Sequence, residues 1–173
     1  LARKISPRTK MILLCSPHNP VSRVWKEDEL RRLGDLCLKH DILVVSDEIH
    51  QDIVYNGVRH VPFPSVSREF TDKCVVCTAA SKTFNLAGLQ TSNIIISNPE
   101  LRDRFRKVVS SCGMQSPNMF GIVATEAAYR YGEPWLDQLL LYLQENVAFL
   151  KEYLIEKIPG VKVIEPQGTY LLW

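Results

Sequence analysis

The sequence predicts an α/β fold, a mostly parallel sheet with helices on both of its faces, from three observations. Short runs of consecutive apolar residues alternate along the chain with longer amphipathic segments. The runs are apolar at nearly every position, which is typical of parallel strands buried on both faces. Of the 173 residues, 46% are hydrophobic and 23% are charged, with a formal net charge of +2. These values exclude a disordered chain and predict no general affinity for nucleic acid or an anionic membrane surface.

The first two strands flank a helix. Residues 11–15 and 42–46 are the apolar runs. Between them, acidic residues at 27–29 favour the start of a helix, because they complement the positive end of its dipole. Apolar residues then recur at helical spacing until the segment ends near His40. A strand, a helix and a strand in this order predict two parallel strands in one sheet.

Two further strands and three helices follow. Residues 74–78 form a third apolar run, and residues 93–97 form a fourth. The fourth follows too closely for a crossover helix, so we expect it to pair antiparallel. Helices are then predicted over residues 99–111, 119–131 and 135–157. The last one would be about 34 Å long, and Pro159-Gly160 would end it.

The two ends of the chain predict a piece of a larger protein. The chain begins with Leu1 rather than Met. Residues 161–164 and 169–173 have the pattern of strands and would begin a second, β-containing domain. The final run is apolar and no turn or polar tail follows it, so its edge would be left exposed.

The five cysteines predict free, mostly buried thiols. Cys74 and Cys77 form a C-x-x-C pair inside a predicted strand, where residues three apart point to opposite faces. We therefore expect core thiols there rather than a redox or metal site. Reduced thiols fit a cytoplasmic protein. The four histidines lack the spacing of metal ligands, and no apolar run approaches the ~20 residues that a membrane span needs.

Polar side chains follow three of the predicted strands. Asn19 follows the first strand, Asp47 and His50 follow the second, and Ser81 and Lys82 follow the third. Each has a common structural explanation when taken singly, such as a turn, a helix cap or a solvated surface charge. Parallel strands, however, bring their carboxyl ends to one edge of the sheet, where α/β proteins bind ligands. We therefore predict a functional site at this edge.

These residue types meet the needs of one cofactor, pyridoxal 5'-phosphate (PLP). Lys82 lies among alanines and a phenylalanine, and partial loss of water there makes an amine nucleophilic toward carbonyl groups. PLP enzymes need such a lysine and an acid against the pyridinium nitrogen, for which Asp47 is the candidate. The 3'-oxygen of the ring needs hydrogen-bond donors, which Asn19 and His50 could supply.

Three motifs carry a resemblance to a known family. They are Asn19-Pro20, Asp47-Glu48-Ile49-His50 and Ser81-Lys82-Thr83-Phe84-Asn85-Leu86-Ala87-Gly88-Leu89. In this order and at these separations they resemble fold-type-I PLP enzymes of the aminotransferase class I/II superfamily. Within it, the chain looks most like the MalY/PatB-type C–S β-lyases, such as cystathionine β-lyase. One reason is His50, because most aminotransferases of the superfamily carry Tyr there.

The resemblance implies a role for each site residue. Lys82 would bind PLP covalently and move the Cα proton, and Asp47 would pair with the pyridinium nitrogen. Asn19 would bind the 3'-oxygen, beside His50, and Ser81 would contact the phosphate. The implied reaction cleaves L-cystathionine or L-cysteine to pyruvate, ammonia and a thiol. The alternatives are a PLP-dependent aminotransferase and a PLP-binding transcriptional regulator with an aminotransferase-like domain.

The resemblance also implies a division into domains. Residues 1–134 would be the second half of the large PLP-binding domain, and residues 135–160 a long interdomain helix. Residues 161–173 would start an incomplete small α/β domain. The implied partners are a small amino-acid substrate and a second copy in a homodimer, without nucleic acid or membrane. The isolated chain should be inactive.

Three positions depart from the family pattern. Many relatives have an Arg that anchors the phosphate where this chain has Gln90, for which Thr91 is a possible substitute. They often have Ser where this chain has Ala79. The common Thr-Gly after Asn-Pro is Val21-Ser22 here, a loop change whose effect does not follow from the sequence.

Overall fold

The sheet has four strands. The computed structural model describes residues 1–55, 57–114, 116–158 and 160–173. The strands lie side by side in sequence order: β1 (Met11–Cys15), β2 (Leu43–Asp47), β3 (Cys74–Thr78) and β4 (Asn93–Ile95). β1, β2 and β3 are parallel and β4 is antiparallel to β3, which confirms both predictions for the sheet.

Two strands end at different residues from those predicted. β2 extends to Asp47, because that residue remains paired with both neighbouring strands. β4 ends at Ile95, two residues earlier than predicted. The carbonyl oxygen of Ile96 instead accepts a hydrogen bond from the Arg102 guanidinium at 2.9 Å, so the backbone turns toward the next helix.

The predicted helices are present. They are α1 (Glu27–Lys39), α3 (Pro99–Ser111), α4 (Met119–Tyr131) and α5 (Glu133–Lys157). A short helix that was not predicted, α2 (Ala80–Thr83), follows β3. α5 begins two residues before its predicted start, because Pro134 fits in a first turn, where its missing N–H costs no hydrogen bond. Pro159, part of the predicted stop of this helix, lies outside the described residues.

α1 covers one face of the sheet. Its buried side packs with residues of β1, β2 and β3 into the main core cluster. Gly34 allows the ring of Phe70 to approach, since a Cβ at that position would lie 2.3 Å from the ring. Phe70 in turn stacks on Phe63 with ring centroids 5.2 Å apart. On the opposite face Leu13 of β1 is 73% exposed in this chain.

The last residues do not form the predicted strands. In residues 161–173 the structure shows no strand, and Gly168 forms an isolated bridge with Val54. Residues 167–169 also form hydrogen bonds with the loops after β1 and β2, and the Ile164 N–H donates to the Trp173 carbonyl at 3.0 Å. A strand needs a neighbour along its length, and within the described residues neither run has such a continuous partner. The prediction of strands at 161–164 and 169–173 is therefore wrong for this structure.

The cysteines are all free. Cys74 and Cys77 lie on β3, the first buried and the second half-buried. Cys37 is also buried, Cys15 is half-buried and Cys112 is exposed. Among the described residues there is no cluster of three or more side chains that could hold a metal ion. In the same part of the chain, no helix is long and apolar enough to cross a membrane.

Candidate active site

The site lies at the carboxyl ends of the three parallel strands. Asp47, the last residue of β2, is paired with Cys15 of β1 on one side and with Cys77 of β3 on the other. Residues paired across parallel strands point to the same face of the sheet. The segments that follow these strands carry the predicted site residues, so they begin at one common edge.

Asp47 is the acidic residue in this row of three paired residues, Cys15, Asp47 and Cys77. It is half-buried, and its Oδ1 accepts a hydrogen bond from the Ile49 N–H at 3.3 Å. Burial raises the pKa of the Cys15 thiol, and the negative charge of Asp47 adds to this effect. Burial and Asp47 raise the pKa of the Cys77 thiol in the same way. Both thiols therefore stay neutral beside the carboxylate at neutral pH.

Lys82 lies on α2, the single helical turn that follows β3. The lysine is half-buried, and the two alanines before Ser81 are almost fully buried, at 5% and 1% exposure. The Thr83 hydroxyl fixes this turn by donating to Asp52 Oδ2 at 2.8 Å. The partial burial expected for Lys82 is present, and Ser81 is half-buried beside it.

His50 is buried at the centre of the site. It is 1% exposed, and neither ring nitrogen has a hydrogen-bond partner among the described residues. Burial lowers the pKa of this imidazole, the positive charge of Lys82 lowers it further, and Asp47 acts in the opposite direction. The three residues are therefore within electrostatic reach of one another. A neutral imidazole with two unpaired nitrogens can serve a polar group of a ligand at this point.

Asn19 reaches the same edge from β1. It is exposed, and its backbone hydrogen-bonds the thiol of Cys15, the residue that pairs with Asp47 in the sheet.

Thr91, the suggested substitute for a phosphate-binding Arg, has another partner, because its hydroxyl donates to the Leu89 carbonyl at 3.2 Å. It also lies against Gly121 of α4, where a Cβ would be 1.9 Å from it. Thr91 therefore serves the packing of α4.

Glu48 is a buried residue of this region for which the sequence motifs predict no role. This carboxylate is 1% exposed and accepts hydrogen bonds from the Ser46 hydroxyl at 2.8 Å and the Phe63 N–H at 2.9 Å. Its other oxygen pairs with His60 Nε2 at 2.9 Å. In the structure, buried and half-buried residues alternate from 42 to 50, so Glu48 and His50 continue the inward face of β2. The sequence itself does not alternate there, because residues 42–45 are all apolar.

A model of the family described as "Aminotransferase class I and II" matches residues 1–173. The chain belongs to the aminotransferase class I and II family. This confirms the resemblance seen in the sequence, and the class I and II fold agrees with the α/β sheet described above.

Lyases are prominent among the class I and II relatives. The chain is 44% identical to cystathionine β-lyase PatB of Bacillus subtilis (strain 168), over all of this chain and 45% of that protein. It is 38% identical to protein MalY of Escherichia coli (strain K12), over 96% of this chain and 42% of that protein. Identity to an aspartate aminotransferase of Geobacillus stearothermophilus is 28%, over all of this chain and 43% of that protein.

Solved structures of PLP-containing proteins also match the chain. Cystalysin of Treponema denticola, which contains PLP, matches with a TM-score of 0.92 and 41% identity, over 95% of this chain and 42% of that one. The PLP-bound C–S lyase of Staphylococcus hominis matches with a TM-score of 0.88 and 38% identity, over 95% and 41%. The chain thus spans less than half the length of these relatives.

Proposed function

We propose that the full-length protein containing this chain is a PLP-dependent C–S β-lyase, which converts L-cystathionine or L-cysteine to pyruvate, ammonia and a thiol. The observation that carries the proposal is the buried His50 imidazole, with both nitrogens unpaired, beside Lys82 and Asp47. The names of the lyase relatives at 38–44% identity support the reaction.

The residues of the site fit PLP. When bound, this cofactor supplies an electron-withdrawing ring that stabilises negative charge at the substrate Cα. His50 is neutral, so it can donate one N–H to the 3'-oxygen of the ring, and the Asn19 amide is the second donor. Ser81, in the first turn of α2, is the candidate for a phosphate contact. Gln90 cannot replace the charge of the missing Arg.

Two side chains would handle the protons. Lys82 would hold the cofactor through its Nζ atom, and its freed, neutral amine would take the proton from the substrate Cα. The partial burial of its turn limits hydration of that amine. Asp47 would keep a proton on the pyridine nitrogen through its carboxylate. The neutral thiols on either side of Asp47 add no competing charge, so the carboxylate attracts that proton without a second anion in the row.

The domain division and the assembly are part of the same proposal. Residues 1–134 belong to the large PLP-binding domain, residues 135–160 to an interdomain helix, and residues 161–173 to the start of the small domain. The protein is proposed to be a homodimer. The five free thiols support a cytoplasmic location.

The proposal is tested on the full-length protein with PLP and L-cystathionine, in the absence of any 2-oxo-acid acceptor. Continuing release of pyruvate and free thiol in equal amounts is the expected result. Turnover that begins only when an acceptor is added would mean an aminotransferase. No turnover in either condition, although PLP is bound, would favour a PLP-binding regulator.

A pair of lysine variants tests the site. Lys82→Ala should abolish the visible absorbance of covalently bound PLP and lower the rate by at least about 10²-fold, as for loss of a catalytic acid or base. Lys73→Ala is the matched control, because Lys73 lies on the surface in an ion pair with Asp41. Persistence of the visible band in Lys82→Ala would show that another residue holds the cofactor.

A further inference from the structure

Two buried hydroxyl residues connect distant parts of the chain next to the site. Ser22 follows the Asn19 loop, and Thr169 lies near the end of the chain, yet their hydroxyl oxygens are 2.9 Å apart. Both residues are at most 1% exposed. Both have positive φ, 60° at Ser22 and 63° at Thr169, in the region that favours glycine. Since this conformation is unfavourable for both, the contacts between them must compensate for it.

The hydroxyl groups form a chain with a defined direction. The Ser22 hydroxyl lies 2.5 Å from the Leu171 carbonyl and donates to it. Its single proton is then used, so it accepts from the Thr169 hydroxyl. Thr169 Oγ1 accepts in turn from the Leu171 N–H at 3.1 Å. The Ser22 side chain thus makes a connection that a glycine at this position could not make.

Further hydrogen bonds hold the backbone of the same segment. The Tyr55 hydroxyl donates to the Thr169 carbonyl at 2.7 Å, and the Thr169 N–H donates to the Ile53 carbonyl at 2.8 Å. Gly168 packs so closely that a Cβ there would lie 2.6 Å from the Ile53 carbonyl oxygen. The residues on both sides of Tyr170 are therefore held against the loops that follow β1 and β2.

Tyr170 itself faces the site. Its ring meets the buried His50 ring edge to face, with centroids 5.3 Å apart and an angle of 66°. The tyrosine is 44% exposed, so part of its ring remains open beside His50. An aromatic ring that is fixed on one side and open on the other provides a contact surface for a ligand.

We propose that Tyr170 contacts the sulfur-bearing side chain of the amino-acid substrate, and that the hydroxyl pair Ser22–Thr169 positions Tyr170 for this contact. The inference rests on the proposed function, because it concerns the substrate of that site. Divalent sulfur makes favourable contacts with aromatic rings at about 5 Å. Tyr170 is thus a specificity-determining residue, and Ser22 and Thr169 are positioning residues.

The test compares two substrates of the PLP-loaded full-length protein. L-Cystathionine carries a thioether, whereas β-chloro-L-alanine undergoes the same elimination without sulfur. Tyr170→Ala should raise KM for L-cystathionine roughly 2- to 10-fold, the range of a sulfur–aromatic contact, and leave kcat within about twofold. KM for β-chloro-L-alanine should change less than about twofold. Tyr170→Phe should restore KM for L-cystathionine, because the ring is retained.

Ser22→Gly tests the positioning role with a residue that suits the backbone conformation at this position. Glycine adopts positive φ freely, so the variant removes the hydroxyl and relieves backbone strain. It should raise KM for L-cystathionine in the same direction as Tyr170→Ala, with unchanged absorbance of bound PLP. Equal changes for both substrates, or no change in either variant, would overturn the inference. Absence of elimination by the unmodified protein with both substrates would instead refute the proposed function.

Discussion

Replacing Glu48 with Ala should remove a large share of the stability of the protein. Glu48 is 1% exposed and has three hydrogen-bonding partners, the Ser46 hydroxyl, the Phe63 N–H and His60 Nε2. The variant leaves these buried partners without an acceptor, and each unsatisfied group costs about 1–3 kcal/mol. Removing one partner of a buried pair of ionisable groups, such as Glu48 and His60, typically costs about 3–5 kcal/mol.

We therefore expect the free energy of unfolding to fall by about 3–5 kcal/mol, out of roughly 5–15 kcal/mol for a typical protein. Urea denaturation of the full-length protein, followed by circular dichroism, measures this change from the midpoint and slope. This estimated loss lies toward the lower end of the sum of the three individual costs, because the contributions of neighbouring groups are not additive.

Two control variants make the result specific. Glu48→Gln keeps an oxygen for Ser46 and Phe63 but presents an amide NH2 to His60 Nε2 in place of an acceptor oxygen, so it should cost less than Glu48→Ala, about 1–2 kcal/mol. Glu152→Ala changes an exposed carboxylate on α5 and should stay within about 0.5 kcal/mol of the unmodified protein. A Glu48→Ala variant that unfolds within about 0.5 kcal/mol of the unmodified protein would refute the reasoning.

Three further predictions concern packing, pH and thiol reactivity. Gly34→Ala should lower the melting temperature, because overpacking against Phe70 costs about 1–3 kcal/mol and helix propensity returns only about 1 kcal/mol; a higher melting temperature would contradict this. Burial lowers the pKa of His50, so below its ordinary value of 6.5 the unfolded chain binds a proton more readily than the folded one, and the free energy of unfolding should fall as pH decreases. In denaturation at several pH values, His50→Gln should lose less stability on acidification, and equal losses would exclude this origin. Burial raises the pKa of Cys74 to about 11, so in the folded protein iodoacetamide should label the exposed Cys112 and leave Cys74 unmodified, as peptide mapping would reveal; equal labelling would disprove the burial of Cys74.

Much of the sheet could be predicted because its signals are local. The apolar runs mark β1 and β3 at their observed limits, and the short link after Lys82 predicts the antiparallel direction of β4. The pattern of residues 161–164 and 169–173 wrongly predicts strands, because an apolar pattern shows only that a segment can form a strand. Whether it does depends on a neighbour, which the pattern does not contain.

The location of the candidate site could also be predicted from the sequence, but not all of its contacts. The edge of a parallel sheet follows from strand order, so the sequence could bring Asp47, His50 and Lys82 to one place, and the electrostatic effects on His50 agree. The contact between Ser22 and Thr169 joins residues 147 positions apart. No periodicity or motif encodes such a pair, because it depends on where two loops meet after folding.

The loop that carries Lys82 is closed at its base by the sheet itself. Thr78, the last residue of β3, pairs with Asn93, the first residue of β4, and the Asn93 amide donates to the Thr78 hydroxyl at 3.4 Å. The loop therefore cannot separate from the sheet unless this strand pair also opens. Hydrogen-bonded amides within it, such as that of Phe84, should exchange with solvent deuterium in the same cooperative event as the strand pair. The local unfolding energy of two strands would then govern how often the lysine leaves its position.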